Sequence, residues 1–138
     1  MSKATTAPPS LAKLSAAHEC LERAERALAQ ARGSDKDNWR YIYAHMAALR
    51  VAAAVLAMRA HPRSVRGRRN AWKLLADVAP ELAEWADFFA AGAAKRTTAE
   101  LATSAVVTSR EADDLIRAAE QFIAVAEQCL GLPSVVAQ

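Results

Sequence analysis

The stretch NWRYIYAHMAALRVAAAVLAMRA, Asn38 to Ala60, constrains the fold of this chain more than any other part of it. Trp39, Ile42, Met46, Leu49, Ala53 and Leu56 recur at intervals of three and four, which winds them into one stripe of an α-helix, the side expected to face the core. Ala44, Ala47, Ala48, Val51 and Val55 form a second stripe of small side chains on roughly the opposite side, where another backbone can approach closely. A helix that is apolar on two sides needs partners on both, so the fold has to be built around this segment.

The flanking sequence is helical too. The chain is 53% hydrophobic but only 6% aromatic, and alanine, the best helix former, supplies much of the apolar content. Ser10 is placed to cap a helix over residues 11–32, with Leu11, Leu14, His18, Leu21, Ala24 and Leu28 at helical spacing and Gly33 suited to a left-handed stop. Residues 34–37 form a connection, and Asp37 or Asn38 caps the central helix. Pro62 disfavours helical geometry at His61 and ends it.

After a loop from His61 to Gly67, a short helix over about residues 69–79 puts Trp72, Leu75 and Val78 on one face. Pro80, acceptable in a first helical turn, opens a fourth helix to about Ala94 that buries Leu82, Trp85 and Phe89, with Phe88 at the margin; a kinked continuous helix is the alternative. Lys95 to Val107 has Leu101 as its one large apolar residue before two valines, which predicts a loop or a weak helical turn. Thr108 and Glu111 stand in capping-box relation at the start of a last helix, which runs through Leu115, Ile116, Phe122, Ile123 and Leu130 to Gly131 and Pro133. The expected fold class is all-α, an antiparallel four- to five-helix bundle, as one domain over residues 10–131 between disordered tails at 1–9 and 132–138.

Arg50 and Arg59 interrupt the only run near the ~18 apolar residues of a membrane span, so no membrane partner is expected. MSKATTAPPS has no apolar core of a signal peptide, which leaves a cytoplasmic location as the expectation. Cys20 and Cys129 sit at apolar-periodic positions and read as small hydrophobes, with neither a disulfide nor metal-ligand spacing to the three histidines. There is no glycine-rich phosphate loop, no HExxH and no placed nucleophile, so no cofactor and no metal is expected. Glu111, Asp113 and Asp114 are explained by the dipole of the helix they begin.

The formal charge of +3 is unevenly spread. Arg59, Arg63, Arg66, Arg68, Arg69 and Lys73 lie within one stretch that contains no acid. It reads either as a solvated loop or as a nucleic-acid surface whose affinity would fall steeply with salt. Trp72 and Tyr43 could stack on unpaired bases, although the spacing of Trp72 to Leu75 fits the core.

Arg40 and His45 are the residues that come closest to a catalytic pair. Five positions separate them, which at 100° per residue leaves them roughly 140° apart, so they cannot touch on an ideal helix but could line one cleft from two edges or from two subunits. An arginine to hold phosphate and a histidine to move protons would suit RNA cleavage without metal, through the 2′-hydroxyl. In the other reading Arg40 is an ion-paired arginine at a helix start and His45 a packed, hydrogen-bonded histidine.

The motif RYIYAH in a small alanine-rich bundle resembles the HEPN family, named for nucleotide binding in higher eukaryotes and prokaryotes. The segments AALRVAAAVLAMRAHP and LLADVAPELAEWADFFAAGAAKR look similar to a small stand-alone actinobacterial branch of it, and the resemblance covers about residues 11–130. It implies an all-α homodimer in which Arg40 and His45, matching the R-x4-H motif, meet in an interfacial cleft. Many members are metal-independent endoribonucleases, often toxins or defence factors; others are nucleotide-binding or scaffold modules. An antitoxin or nucleotidyltransferase partner would go with the toxin role. Active members commonly carry Asn, Asp or His directly after the arginine; here Tyr41 stands there, able to donate a hydrogen bond or stack but poor at orienting.

Overall fold

The structure, a computed structural model, describes residues 10–61 and 70–134. In chain order these form α1 (Leu11–Gly33), α2 (Asp37–Arg59), α3 (Ala71–Val78), a 3-10 turn (Pro80–Leu82), α4 (Ala83–Ala91), α5 (Ala93–Leu101) and α6 (Ser109–Leu130). The described residues are all-helical, with no strand among them. Only Gly92 separates α4 from α5, so the short helices add two rods to the three long ones.

The ends follow local chemistry. The Ser10 side chain accepts from the Lys13 amide, and Thr108 and Glu111 complete the capping box of α6. Gly131 closes α6 in the left-handed conformation, at φ 66°. Gly33 does not play that part: it is the last residue of α1, which turns out into extended geometry at Ser34. Neither Asp37 nor Asn38 caps α2, whose N-cap is Lys36. Asp37 turns to Arg40 and Ser109 instead, and the Asn38 amide donates to the Ser104 carbonyl and accepts from the Val106 and Val107 amides. That one side chain ties the connection before α6 to the beginning of α2.

α2 is the centre, packed against α1, α3, α5 and α6. The short link from α1 makes those two antiparallel. Asp37 meets Ser109 at the start of α6 and Arg59 meets the Cys129 carbonyl at its end, so α2 and α6 run in the same direction, the short helices having carried the chain back. By length and composition α2 is apolar enough to cross a membrane despite Arg50, but 61% of its most apolar window is buried in the bundle, as in a core helix.

Both expected stripes of α2 are covered, the small one throughout and the larger one at Ile42 and Leu56. Ala44, Ala47, Ala48, Val51 and Val55 are fully buried, whereas Trp39 is 45% exposed and Met46, Leu49 and Ala53 are only partly covered. Small residues let α1 lie close, and it does so through its own Ala17, Ala24, Ala27 and Ala31. Leu11 and His18 of α1 stay in solvent for the same reason, outside the alanine seam.

The segment from Lys95 is also more ordered than its sparse apolar content suggested. Alanine and straight-chain residues carry α5 as far as Leu101, with Ala99 its buried contact and Arg96 and Glu100 one turn apart. Ala79, at φ −137° and ψ 73°, breaks the chain between α3 and the proline turn, which excludes one continuous helix there. Trp72, Phe89 and Phe122 then form an aromatic core with the half-buried Trp85 stacked on the two phenylalanines. Phe88 points outward, about half exposed.

Candidate functional site

Arg40 lies in the first turns of α2 on the side of α6. Its Nη1 donates to Asp37 Oδ1 at 3.0 Å, and its Nη2 donates to Asp113 Oδ1 across the helix interface. The other Asp37 oxygen accepts from Ser109 Oγ at 2.7 Å. These bonds hold the arginine charged and keep the Asp37 carboxyl below its usual range, chiefly through Ser109 and then Arg40. Arg40 reaches the rim of a groove of about 270 Å³ shared with Arg32, Ile116, Arg117 and Glu120. Asp113, expected to compensate a helix dipole, is instead the direct partner of the motif arginine.

His45 is 2% exposed and faces another way. Its Nε2 lies 2.9 Å from the Phe89 carbonyl, which can only accept, so this nitrogen carries the proton. Nδ1 is then the lone pair, 3.5 Å from Nη1 of Arg96, which donates to it. Burial lowers the His45 pKa; the Phe89 carbonyl acts in the opposite sense and the Arg96 charge adds to the lowering. The imidazole is therefore neutral at neutral pH, with its basic nitrogen turned to a groove of about 510 Å³ lined by Asn70, Trp72, Arg96, Thr97 and Glu100 among others.

Tyr41 is one turn before His45, on the same face of α2. The two side chains meet at Gly92, in the corner between α4 and α5: a Cβ at Gly92 would lie 2.8 Å from Tyr41 Oη and 3.6 Å from His45 Cδ2. Burial raises the Tyr41 pKa, so the hydroxyl is a neutral group. Tyr41 also borders a small cavity with Lys95 and Glu111, which form an ion pair beside it. The structure thus brings Tyr41 and His45 together and places Arg40 on a different groove.

Of the basic stretch, Arg59 is committed to the fold. Its Nη1 is 2.5 Å from Glu81 Oε2 and its Nη2 3.4 Å from the Cys129 carbonyl, near the end of α6. The acid absent from its own segment is supplied by the proline turn. Lys73 is exposed on α3. Arg63, Arg66, Arg68 and Arg69, with the expected loop from Pro62 to Gly67, lie outside the described residues. Trp72 is a core residue, stacked on Phe89 at 5.5 Å and edge-on to His45 at 6.0 Å; Tyr43 is half-buried against Trp39. Among the described residues no group of three ligands could hold a metal.

Sequence reasoning passed over Arg96 and Gly92. Arg96 fell in a segment read as loop, although its spacing of four to Glu100 is a helix signal. No local signal marks Gly92 as the meeting point of Tyr41 and His45.

No curated protein and no solved structure matches the chain. A family model described as SAV_6107-like HEPN matches residues 31–127, from the last turn of α1 through nearly all of α6, with Arg40, Tyr41, His45 and Arg96 inside the match. That match spans well over half of the sequence, and the chain belongs to the HEPN domain family.

Proposed function

We propose that this HEPN domain binds single-stranded RNA or a nucleotide in the groove beside His45, and that it is a metal-independent endoribonuclease when two copies combine. The observation that supports binding is the orientation of His45: a neutral imidazole, held at Nε2 by a backbone carbonyl, turns its basic Nδ1 toward an arginine and an open groove. A nitrogen so placed can take the proton of a 2′-hydroxyl as it attacks the adjacent phosphorus, and an arginine can stabilise the extra negative charge. As the P–O5′ bond breaks to leave a 2′,3′-cyclic phosphate, the leaving 5′-oxygen takes a proton back from the imidazolium or from water. Because Arg40 and His45 open to separate grooves, a cleft using both motif residues has to draw them from two subunits. Tyr41, buried at the His45 ring, supports its position.

A second reading is a scaffold or protein-interaction module acting in the cytoplasm, with an antitoxin or nucleotidyltransferase among the partners to test. It is favoured by the two carboxylates on Arg40 and the near-complete burial of His45. The experiment is cleavage of single-stranded RNA in EDTA by wild type, Arg40→Ala and His45→Gln, with folding followed by circular dichroism. The ribonuclease reading expects wild-type cleavage and at least a ~100-fold loss in each folded variant. Equal behaviour of all three leaves the scaffold reading.

A further inference from the structure

The arginine beside His45 in space is not the arginine beside it in the motif. Arg96 lies on α5 with its side chain 18% exposed, and it shares with His45 the groove that Asn70 and Trp72 border from α3. Among the described residues its contacts engage Nη1, on His45 Nδ1, and Nε, 3.3 Å from Glu100. A guanidinium carries five N–H donors in a planar fork that matches two oxygens of a phosphate.

The two arginines differ in what holds them. Arg40 is clasped by Asp37 and Asp113, and Asp37 is itself fixed by Ser109. Among the described residues Arg96 has a single carboxylate partner, and that one is 40% exposed, so an arriving anion displaces a weak, water-accessible ion pair. The imidazole it faces is an acceptor and puts no second positive charge in its way. Groove size agrees: about 510 Å³ lies within the range that holds a nucleotide-sized ligand. Among the described residues, the rest of the lining, with Trp72, Asn70 and Thr97, carries no charge apart from Glu100.

We infer that Arg96, rather than Arg40, is the guanidinium that holds a phosphate of bound nucleotide or RNA next to His45. This rests on the groove reading above. It requires no second copy of the chain for binding, and it places Nδ1 of His45 beside the phosphate once Arg96 turns its fork outward.

The test is binding by the full chain of a fluorescent single-stranded RNA oligonucleotide, 5′-AMP and inorganic phosphate, with the His45 imidazole followed by NMR. RNA and 5′-AMP are expected to shift the His45 ring signals of the wild type, and inorganic phosphate to do so more weakly. Arg96→Ala is expected to weaken RNA binding at least tenfold, and Arg96→Lys, which keeps the charge without the fork, by an intermediate factor. Arg40→Ala is expected to weaken it less than Arg96→Ala, and Arg26→Ala, exposed on α1, to stay within twofold. If the ligands shift the His45 signals and Arg96→Ala binds as wild type does, or if Arg40→Ala is the weaker binder, Arg96 is not the phosphate contact while the groove reading stands. If no ligand shifts those signals in the wild type, both are overturned.

Discussion

Replacing His45 by alanine is expected to lower the unfolding free energy by about 3 kcal/mol, read from urea denaturation. The side chain is almost wholly buried and bonded at both ring nitrogens, so truncation leaves a cavity against Trp72 and deprives the Phe89 carbonyl of its donor. His45→Gln can place an amide N–H near the position of Nε2, and is expected to cost less than half as much. The pH dependence has a definite sign. The folded-state pKa of His45 lies below its ordinary value of 6.5, so between the two the unfolded chain binds more protons than the folded one. The contribution of His45 is complete above about pH 6.5 and is lost as pH falls through the folded pKa, at up to about 1.4 kcal/mol per pH unit for one proton. The stability difference between wild type and His45→Gln should therefore be constant above about pH 6.5 and change as the pH falls below it. Parallel curves over pH 4–7 would show that the imidazole titrates as it does in water.

Gly92→Ala is expected to destabilise the wild type by about 1–2 kcal/mol, and to do the opposite when Tyr41 is phenylalanine. Gly92 has φ −84° and ψ −6°, which any residue adopts, so the obstacle is steric: the new methyl group would sit 2.8 Å from Tyr41 Oη, against a ring that is 7% exposed and has little room to shift. Tyr41→Phe removes the obstructing oxygen. In that background the alanine keeps its helical preference over glycine and restricts the unfolded chain, a gain of about 0.5–1 kcal/mol. Thermal unfolding of the four proteins in this double-mutant cycle measures the coupling. Additive effects would mean that Gly92, Tyr41 and His45 do not share one packed corner. The same contact gives Tyr41 a physical role after the motif arginine: it fills the space against the histidine where a shorter polar residue would leave a gap.

Part of the candidate site was legible before any coordinates. A separation of five residues is enough to say that Arg40 and His45 diverge on a helix, and they do, toward separate grooves. Which groups they would meet was not legible. Asp113 is 73 residues from Arg40, and Phe89 and Arg96 are 44 and 51 residues from His45. Two apolar stripes on α2 correctly require partners on two sides, but periodicity does not say how deeply each stripe is covered: Ile42 and Leu56 are buried while Trp39, Met46 and Leu49 of the same stripe are only partly covered. Packing ranks them by approach: the alanine face accepts α1 at close range, and the bulky face takes what room remains.

The sequence by itself determined the three long helices, the capping at Ser10, Thr108 and Gly131, and the divergence of the motif pair, because hydrogen bonds from i to i−4 and caps within a turn are local. Only the tertiary structure decided that Asp113 takes Arg40, that Glu81 takes Arg59 and that Arg96 stands against His45. Those pairings depend on the direction in which the proline turn, α5 and α6 return to α2. That direction is set by packing across the whole bundle, and no window along the chain contains it.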